Sequence, residues 1–407
     1  MYSKQENKYL IAAILALSIT VFIIIFSEEA FAAALEGLRV WWEIVFPSLL
    51  PFFVIAEILM GLGVVHFLGV LLEPLMRPVF KVPGVGSFAL AMGLASGYPI
   101  GAKITSNLRR KKLCTKTEAE RLLSFTCTAN PSFMLGAIAV GMFRRADLGL
   151  IIAATHYISS ILVGILLRFY RGEESSTGIL DSSNGVGQRK NIFSRAVNEL
   201  IDAHRKDGRD IGQLLGDSIK EAINTILMVG GFIILFSVLT RIFIVTGLVN
   251  TIGRLLMLVL KPFGISETLI LPLISGIFEV TNGANLVSQA QAPLLHQLIM
   301  TNILIAWSGL SVHAQIATVI NGTDLRIKPF IMARILQSII AGFLTIQFFR
   351  FSSLAETTFL PILKGSSPVN VFSLALLFFL LLLSISLILS LSIYLLRKIK
   401  IIFFYHS

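Results

Sequence analysis

The residues best suited to chemistry lie in two polar clusters within long apolar stretches. The first is Ser96-Gly97-Tyr98-Pro99, followed by Asn130-Pro131-Ser132. The second is Glu279-Val280-Thr281-Asn282-Gly283, followed by Ser308-Gly309-Leu310-Ser311 and His313. Pro removes a backbone donor and Gly relaxes a helix, so these are places where helices break. A helix broken inside a bilayer frees N–H and C=O groups that can hold a solute or ion, and half-helix N-termini favour anions. The candidate substrate-binding residues are therefore Ser96, Gly97, Tyr98, Asn130, Ser132, Thr281, Asn282, Ser308, Ser311 and His313. Their hydroxyls and amides could bond a polar solute, or could instead fasten one helix to another. His313 has three readings: substrate contact, proton relay or hydrogen-bonded packing residue. Glu279 is the sharpest candidate, because a carboxylate at membrane depth is costly and usually functional. It either couples transport to protons or sodium, or serves as a structural cap or ion-pair partner. Lys103 either attracts an anion or extends its ammonium to the membrane surface.

Enzymatic chemistry has no footing in the sequence. It contains no P-loop, no HExxH, no GxSxG with triad partners and no dinucleotide fingerprint. Cys114 and Cys127 form neither a CxxC pair nor part of a histidine cluster, so no metal site, disulfide framework or cofactor is expected. The 407 residues are 55% hydrophobic and 14% charged, with a mean hydropathy of +0.83. A soluble domain carries about 25% charged residues. The expected surroundings are thus a lipid bilayer. The net charge of +11 lies in short loops beside apolar runs, a topogenic pattern rather than a nucleic-acid footprint.

Several elements must position the clusters. Apolar segments fall at 10–26, 44–63, 86–102, 122–143, 148–168, 222–245, 268–284, 298–320, 329–349 and 371–396. A span needs roughly 20 apolar residues. Segments 86–102 and 268–284 are short and rich in Gly and polar residues, while 64–76 and 248–261 suit interfacial helices. The first apolar run has 17 residues, longer than the roughly 7–15 of a signal core. Glu28 and Glu29 precede the only cleavage-like triplet, so an uncleaved first span is expected.

Charge then assigns sides. Loop 27–43 carries Glu28, Glu29, Glu36 and Glu43 against Arg39, which places it outside. Arg77 and Lys81 on one flank of segment 86–102, and Lys103 to Arg121 on the other, are both cytoplasmic. That segment must therefore enter and leave on one face, as a re-entrant hairpin. Loop 171–216, with seven Lys or Arg, and the C-terminal Arg397, Lys398 and Lys400 are cytoplasmic too. Arg144 and Arg145 fall outside, against the rule. Within loop 171–216, residues 173–188 are rich in Ser and Gly and read as flexible. Ile192, Phe193, Ala196, Val197, Leu200 and Ile201 then recur at helical spacing, predicting a surface helix that lies on the membrane or binds a partner.

An internal repeat joins these features. Arg77-Pro78 corresponds to Lys261-Pro262, and Gly63 and Gly69 to Gly247 and Gly253, all 184 positions apart. The two polar clusters follow in the same order at nearly the same spacing. Charge placement gives the halves opposite orientations. The expected fold is an all-α polytopic membrane protein with an inverted repeat and two re-entrant helical hairpins, an architecture of secondary transporters. The expected parts are an N-terminal span and outer loop (1–40), repeat one (41–168), a cytoplasmic linker with a surface helix (169–217), repeat two (218–350) and a C-terminal anchor span (351–407).

Four runs carry a resemblance: Phe46-Pro47-Ser48-Leu49-Leu50-Pro51-Phe52-Phe53, Gly97 to Lys103, Asn130-Pro131-Ser132-Phe133, and Gly309 to Gln315. They are similar to the YlbJ (SpoVV) family of sporulation integral membrane proteins, most clearly over 40–350. The resemblance implies a Gate, or nucleoside-recognition, domain and a fold like that of concentrative nucleoside transporters. It also implies an endospore former, and movement of dipicolinic acid from the mother cell across the outer forespore membrane. Dipicolinate is a small planar dianion, to which half-helix N-termini and a basic approach at Lys103 to Lys112 are suited. Other small anions, a nucleoside, or a non-transporting role in sporulation assembly with a protein partner or a second copy are the alternatives.

Overall fold

Two helices of equal length organise the molecule. In the computed structural model, residues 4–171 and 192–358 are described, and among them the regular structure is helical, with no strand. After α1 (Lys4–Ile25), α2 (Ser27–Arg39) continues through a π-wound turn, Val40–Val45, into α3 (Phe46–Gly61). Together they form a 35-residue apolar helix, Ser27–Gly61. Its counterpart is α10, Ile211–Val245, also 35 residues and 184 positions later. At 1.5 Å per residue each is about 52 Å long, well beyond a hydrocarbon core of about 30 Å. The expected outer loop 27–43 is thus helical, and its acidic residues do not interrupt the helix. The helix matched to α10 starts at Ser27. α2 and α10 pack closely at Gly37, where a side chain would press on Ser237.

Each long helix ends at a left-handed glycine, Gly63 (φ 79°) or Gly247 (φ 76°). A short helix follows, α4 (Val64–Leu75) or α11 (Leu248–Leu260). The chain then makes a hairpin. Hairpin 1 is α5 (Gly86–Ser96) and α6 (Tyr98–Arg110), and hairpin 2 is α12 (Ile270–Phe278) and α13 (Val280–Gln289). Each pair of legs packs together. In hairpin 1, Gly93 and Gly101 lie four residues either side of Gly97, and both press on the Thr126 carbonyl, where a side chain would collide.

A broken span follows each hairpin. The first is α7 (Lys116–Thr126), a four-residue gap filled by Cys127–Asn130, and a second half whose Phe133–Met142 portion is π-wound. A capping box of Thr115 and Glu118 starts α7. The second is α14 (Leu294–Trp307), a break at Ser308, and α15 (Gly309–Ile320). α8 (Leu148–Leu167) and α16 (Ile327–Thr358) close the repeats.

Contacts within and between the repeats establish the inversion. Arg77, before hairpin 1, pairs with Glu118, after it, at 2.8 Å, so both flanks share a face. Thr268 donates to the Gln291 carbonyl at 3.2 Å, which does the same for hairpin 2. The second leg α6 packs on α15, the second half of the other repeat's broken span; α13 packs on Phe133–Met142 in the same way. Arg109 at the end of α6 grips Asp324, just after α15, through two bonds of 2.9 and 2.8 Å. Thus α15 ends on the face where hairpin 1 opens.

The linker helix is α9 (Ile192–Asp207). It lies on α4, with Phe193 edge-on to Phe67 and Arg195 paired to Glu73 at 2.8 Å. Arg145, on the wrong side by charge, pairs with Asp147 at 2.6 Å. The flexible stretch 173–188 and the anchor span 371–396 lie outside the described residues.

Candidate functional site

The expected breaks all occur, and each hairpin tip meets the break of its own repeat. At tip 1, Gly97 adopts φ 97° and ψ −172°, a conformation open to glycine, and no side chain caps α6. A side chain on Gly97 would stand 3.4 Å from the Asn130 amide nitrogen. Asn130 caps the second half of its span: Oδ1 accepts from the Phe133 N–H at 2.8 Å and the Ser132 hydroxyl at 2.9 Å. Ser96 Oγ is buried without a partner. Tyr98 crosses between repeats, donating its hydroxyl to the Ile305 carbonyl of α14 at 2.7 Å.

At tip 2, Glu279 is extended (φ −142°, ψ 118°), and its carboxylate accepts the Asn282 N–H at 2.8 Å. Of the roles considered for Glu279, the geometry displays the cap. The tip backbone lies against Ser308 and Gly309, both left-handed at φ 70° and 75°. Trp307 donates to the Ile277 carbonyl at 3.0 Å, fixing α14 to α12. His313 Nδ1 lies 2.8 Å from the Gly309 carbonyl, and its ring stacks 4.3 Å from Trp307. Thr281, Ser308 and Ser311 are buried.

Their bonds and contacts group the candidates into two within-repeat clusters, and Tyr98 ties hairpin 1 to α14 of the other repeat. Asn282 turns away from both, donating at 3.0 Å to Ser237 Oγ and the Ile233 carbonyl of α10. There it lines a cavity of 180 Å³ with Ser275, Asn285, Ser237 and Thr240.

Sequence reasoning missed the groups that hold break 1 open. His156 of α8 accepts the Ala129 N–H at 3.0 Å, and Tyr157 donates to the Ala129 carbonyl at 3.2 Å. Thr128 donates to the Gly93 carbonyl of hairpin 1. Arg334 of α16 donates to the Cys127 carbonyl at 2.8 Å and to the Ser124 carbonyl. These bonds satisfy the exposed end of α7, and a cation there suits the negative end of the helix dipole. The signal was present: His156 and Arg334 stand inside apolar runs, as Glu279 does.

The basic stretch from Lys103 to Lys112 is engaged in part. Arg109 holds Asp324, and Arg110 donates to the Asn321 carbonyl at 3.0 Å, while Lys103 is exposed. Nearby, Glu120 receives Arg326 through two 2.9 Å bonds and the Tyr170 hydroxyl at 3.1 Å. Burial alone would raise its carboxyl pKa, but the bonds and charge of Arg326 outweigh it and hold the group below the usual range.

Comparison with known proteins adds the lineage. The family described as "Gate: Nucleoside recognition" matches residues 42–146. The sporulation integral membrane protein YlbJ of Bacillus subtilis (strain 168) is 43% identical over 346 residues, covering 84% of this chain and 83% of that one. Among solved structures, CNTnw in an inward-facing substrate-bound state aligns with a TM-score of 0.47 and 14% identity, over 84% of this chain and 88% of that one. An intermediate-state structure of a CNTnw variant aligns at 0.46 with 16% identity, over 85% and 89%.

Proposed function

The chain belongs to the family of the sporulation integral membrane protein YlbJ, and on that premise we propose that it is a secondary transporter exporting dipicolinate from the mother cell across the outer forespore membrane. The observation that carries the transport reading is the pairing of a hairpin tip with a broken span in each of two opposed repeats. Irregular backbone at membrane depth is tolerated where protein or a water-filled cavity surrounds it. Two similar halves of opposite orientation can exchange conformations, so inward-open and outward-open states have similar energies. Half-helix N-termini and the hydroxyls and amides of the two clusters suit a small carboxylate. Glu279 is the candidate coupling group.

Purified full-length chain in proteoliposomes tests the reading. Labelled dipicolinate should accumulate under a proton or sodium gradient; no uptake under any such gradient overturns it. The Gate match favours nucleoside transport as a second reading, and uridine competing with the labelled solute would support that instead. Localisation to the outer forespore membrane is checked by fluorescence imaging of a tagged chain in sporulating cells.

A further inference from the structure

Arg334 is fully buried, and among the described residues no carboxylate pairs with it. Its two terminal nitrogens reach the Cys127 and Ser124 carbonyls, but Nε has no partner. The Phe330 ring lies 5.2 Å from the guanidinium carbon, and the His313 ring lies 5.1 Å from Phe330 on the second cluster. The arginine therefore stands between the breaks of the two repeats. An unpaired cation at membrane depth is costly, and the half charge of a helix C-terminus offsets it incompletely. The carboxyl group at the tips, Glu279, is committed to the Asn282 N–H.

The two tips differ in the sense this imbalance requires. Gly97 and Glu279 stand 182 positions apart at equivalent breaks. Glu279 brings a carboxylate to the N-terminus of α13, whereas the N-terminus of α6 begins at Gly97 without any side-chain cap. Tip 2 carries its own carboxylate; break 1 instead receives a cation from α16 of repeat two, beside an uncapped helix N-terminus and the unpartnered Ser96 hydroxyl.

We infer that Arg334 is the charge-selecting residue of the transport site: it supplies the fixed positive charge for a carboxylate-bearing solute bound at the tip and break of repeat one. This rests on the transport reading above and adds the residue that sets charge selectivity. Arg334 acts through the field it maintains at the break, where few water dipoles screen it.

The test compares pyridine-2,6-dicarboxylate with its neutral isostere pyridine-2,6-dicarboxamide, using the full-length chain in nanodiscs. The wild type should bind the dianion at least about tenfold more tightly than the diamide. Arg334→Gln should bring the ratio near one, and Arg334→Lys should restore much of the preference. Cys127→Asp sets a carboxylate beside the guanidinium while keeping the arginine, and should also abolish the preference. A folded Arg334→Gln with the wild-type ratio overturns the inference while leaving transport intact, since Arg334 would then only cap α7. Should Arg334→Gln fail to fold, an unchanged ratio in Cys127→Asp overturns it equally. If wild type binds neither pyridine but does bind another carboxylate, the dipicolinate reading fails, and the same variants judge Arg334 against that carboxylate. A wild type that binds uridine and no carboxylate overturns both.

Discussion

Hairpin 1 and hairpin 2 occupy equivalent places in the two repeats but turn by different means. In hairpin 2 the turning residue is Glu279, extended, with its carboxylate on the Asn282 N–H. In hairpin 1 it is Gly97, at φ 97° and ψ −172°, with nothing to cap the helix that follows. The outer partners differ too. Asn282 is fastened to the long helix α10, whereas Tyr98 reaches into the opposite repeat at Ile305. One scaffold thus has a tip capped by its own carboxyl group and a tip with no side-chain cap. The backbones of the two tips are related by the repeat, and their side chains are not.

The largest expected effect tests the glycine. Gly97 occupies backbone space that is almost closed to other residues, so Gly97→Ala should cost about 1–3 kcal/mol and lower the melting temperature in detergent. A variant as stable as wild type would mean that hairpin 1 turns with ordinary geometry. Next is the cap of hairpin 2. Glu279→Ala removes an N-cap and should cost about 0.5–2 kcal/mol, whereas Glu279→Gln keeps an acceptor and should melt near wild type. If Glu279 also couples transport, Glu279→Gln should still lose gradient-driven uptake. Retained uptake and gradient dependence in Glu279→Gln would reduce this residue to a cap, and with it the functional side of the comparison.

The two tips also show what a sequence makes legible. Gly97, Asn130-Pro131 and Ser308-Gly309 announce helix breaks through backbone chemistry alone, and the structure breaks at each, with Pro99 in the first turn of α6. Gly63 and Gly247, matched by spacing, adopt the same left-handed turn. What stayed hidden depended on distant partners. Arg334 and His156 come from other spans to satisfy break 1, and no local pattern tells which carbonyl a buried cation will reach. The helical state of 27–39 was obscured for a different reason: Glu28, Glu29 and Glu36 resemble a loop until one sees that α2 packs along α10. Asn282 had the right chemistry for the tip, but it is drawn to α10 by Ser237, 45 positions earlier.

The comparison extends, with smaller effects, to the face where hairpin 1 opens and repeat one grips the turn after α15. Two carboxylates do this in different surroundings. Glu120 has no side-chain exposure, while Asp324 is 47% exposed. Glu120→Gln should therefore cost more than Asp324→Ala, whose exposed pair is worth less than about 1 kcal/mol and should weaken further in salt. Hydrogen bonds from Arg109 hold the Asp324 carboxyl below its ordinary range, as Arg326 does for Glu120. Both groups bind protons less readily folded than unfolded. Their contribution is therefore complete above the ordinary carboxylate range of about 4 and is lost as pH falls below it through the folded values. Melting temperature should stay level from neutral pH down to that range and then fall. Glu120→Gln and Asp324→Ala should each flatten the acid limb, Glu120→Gln more so. Equal flattening by both would show that burial does not separate the two grips. An unchanged limb in the double variant would place the acid sensitivity elsewhere in the molecule.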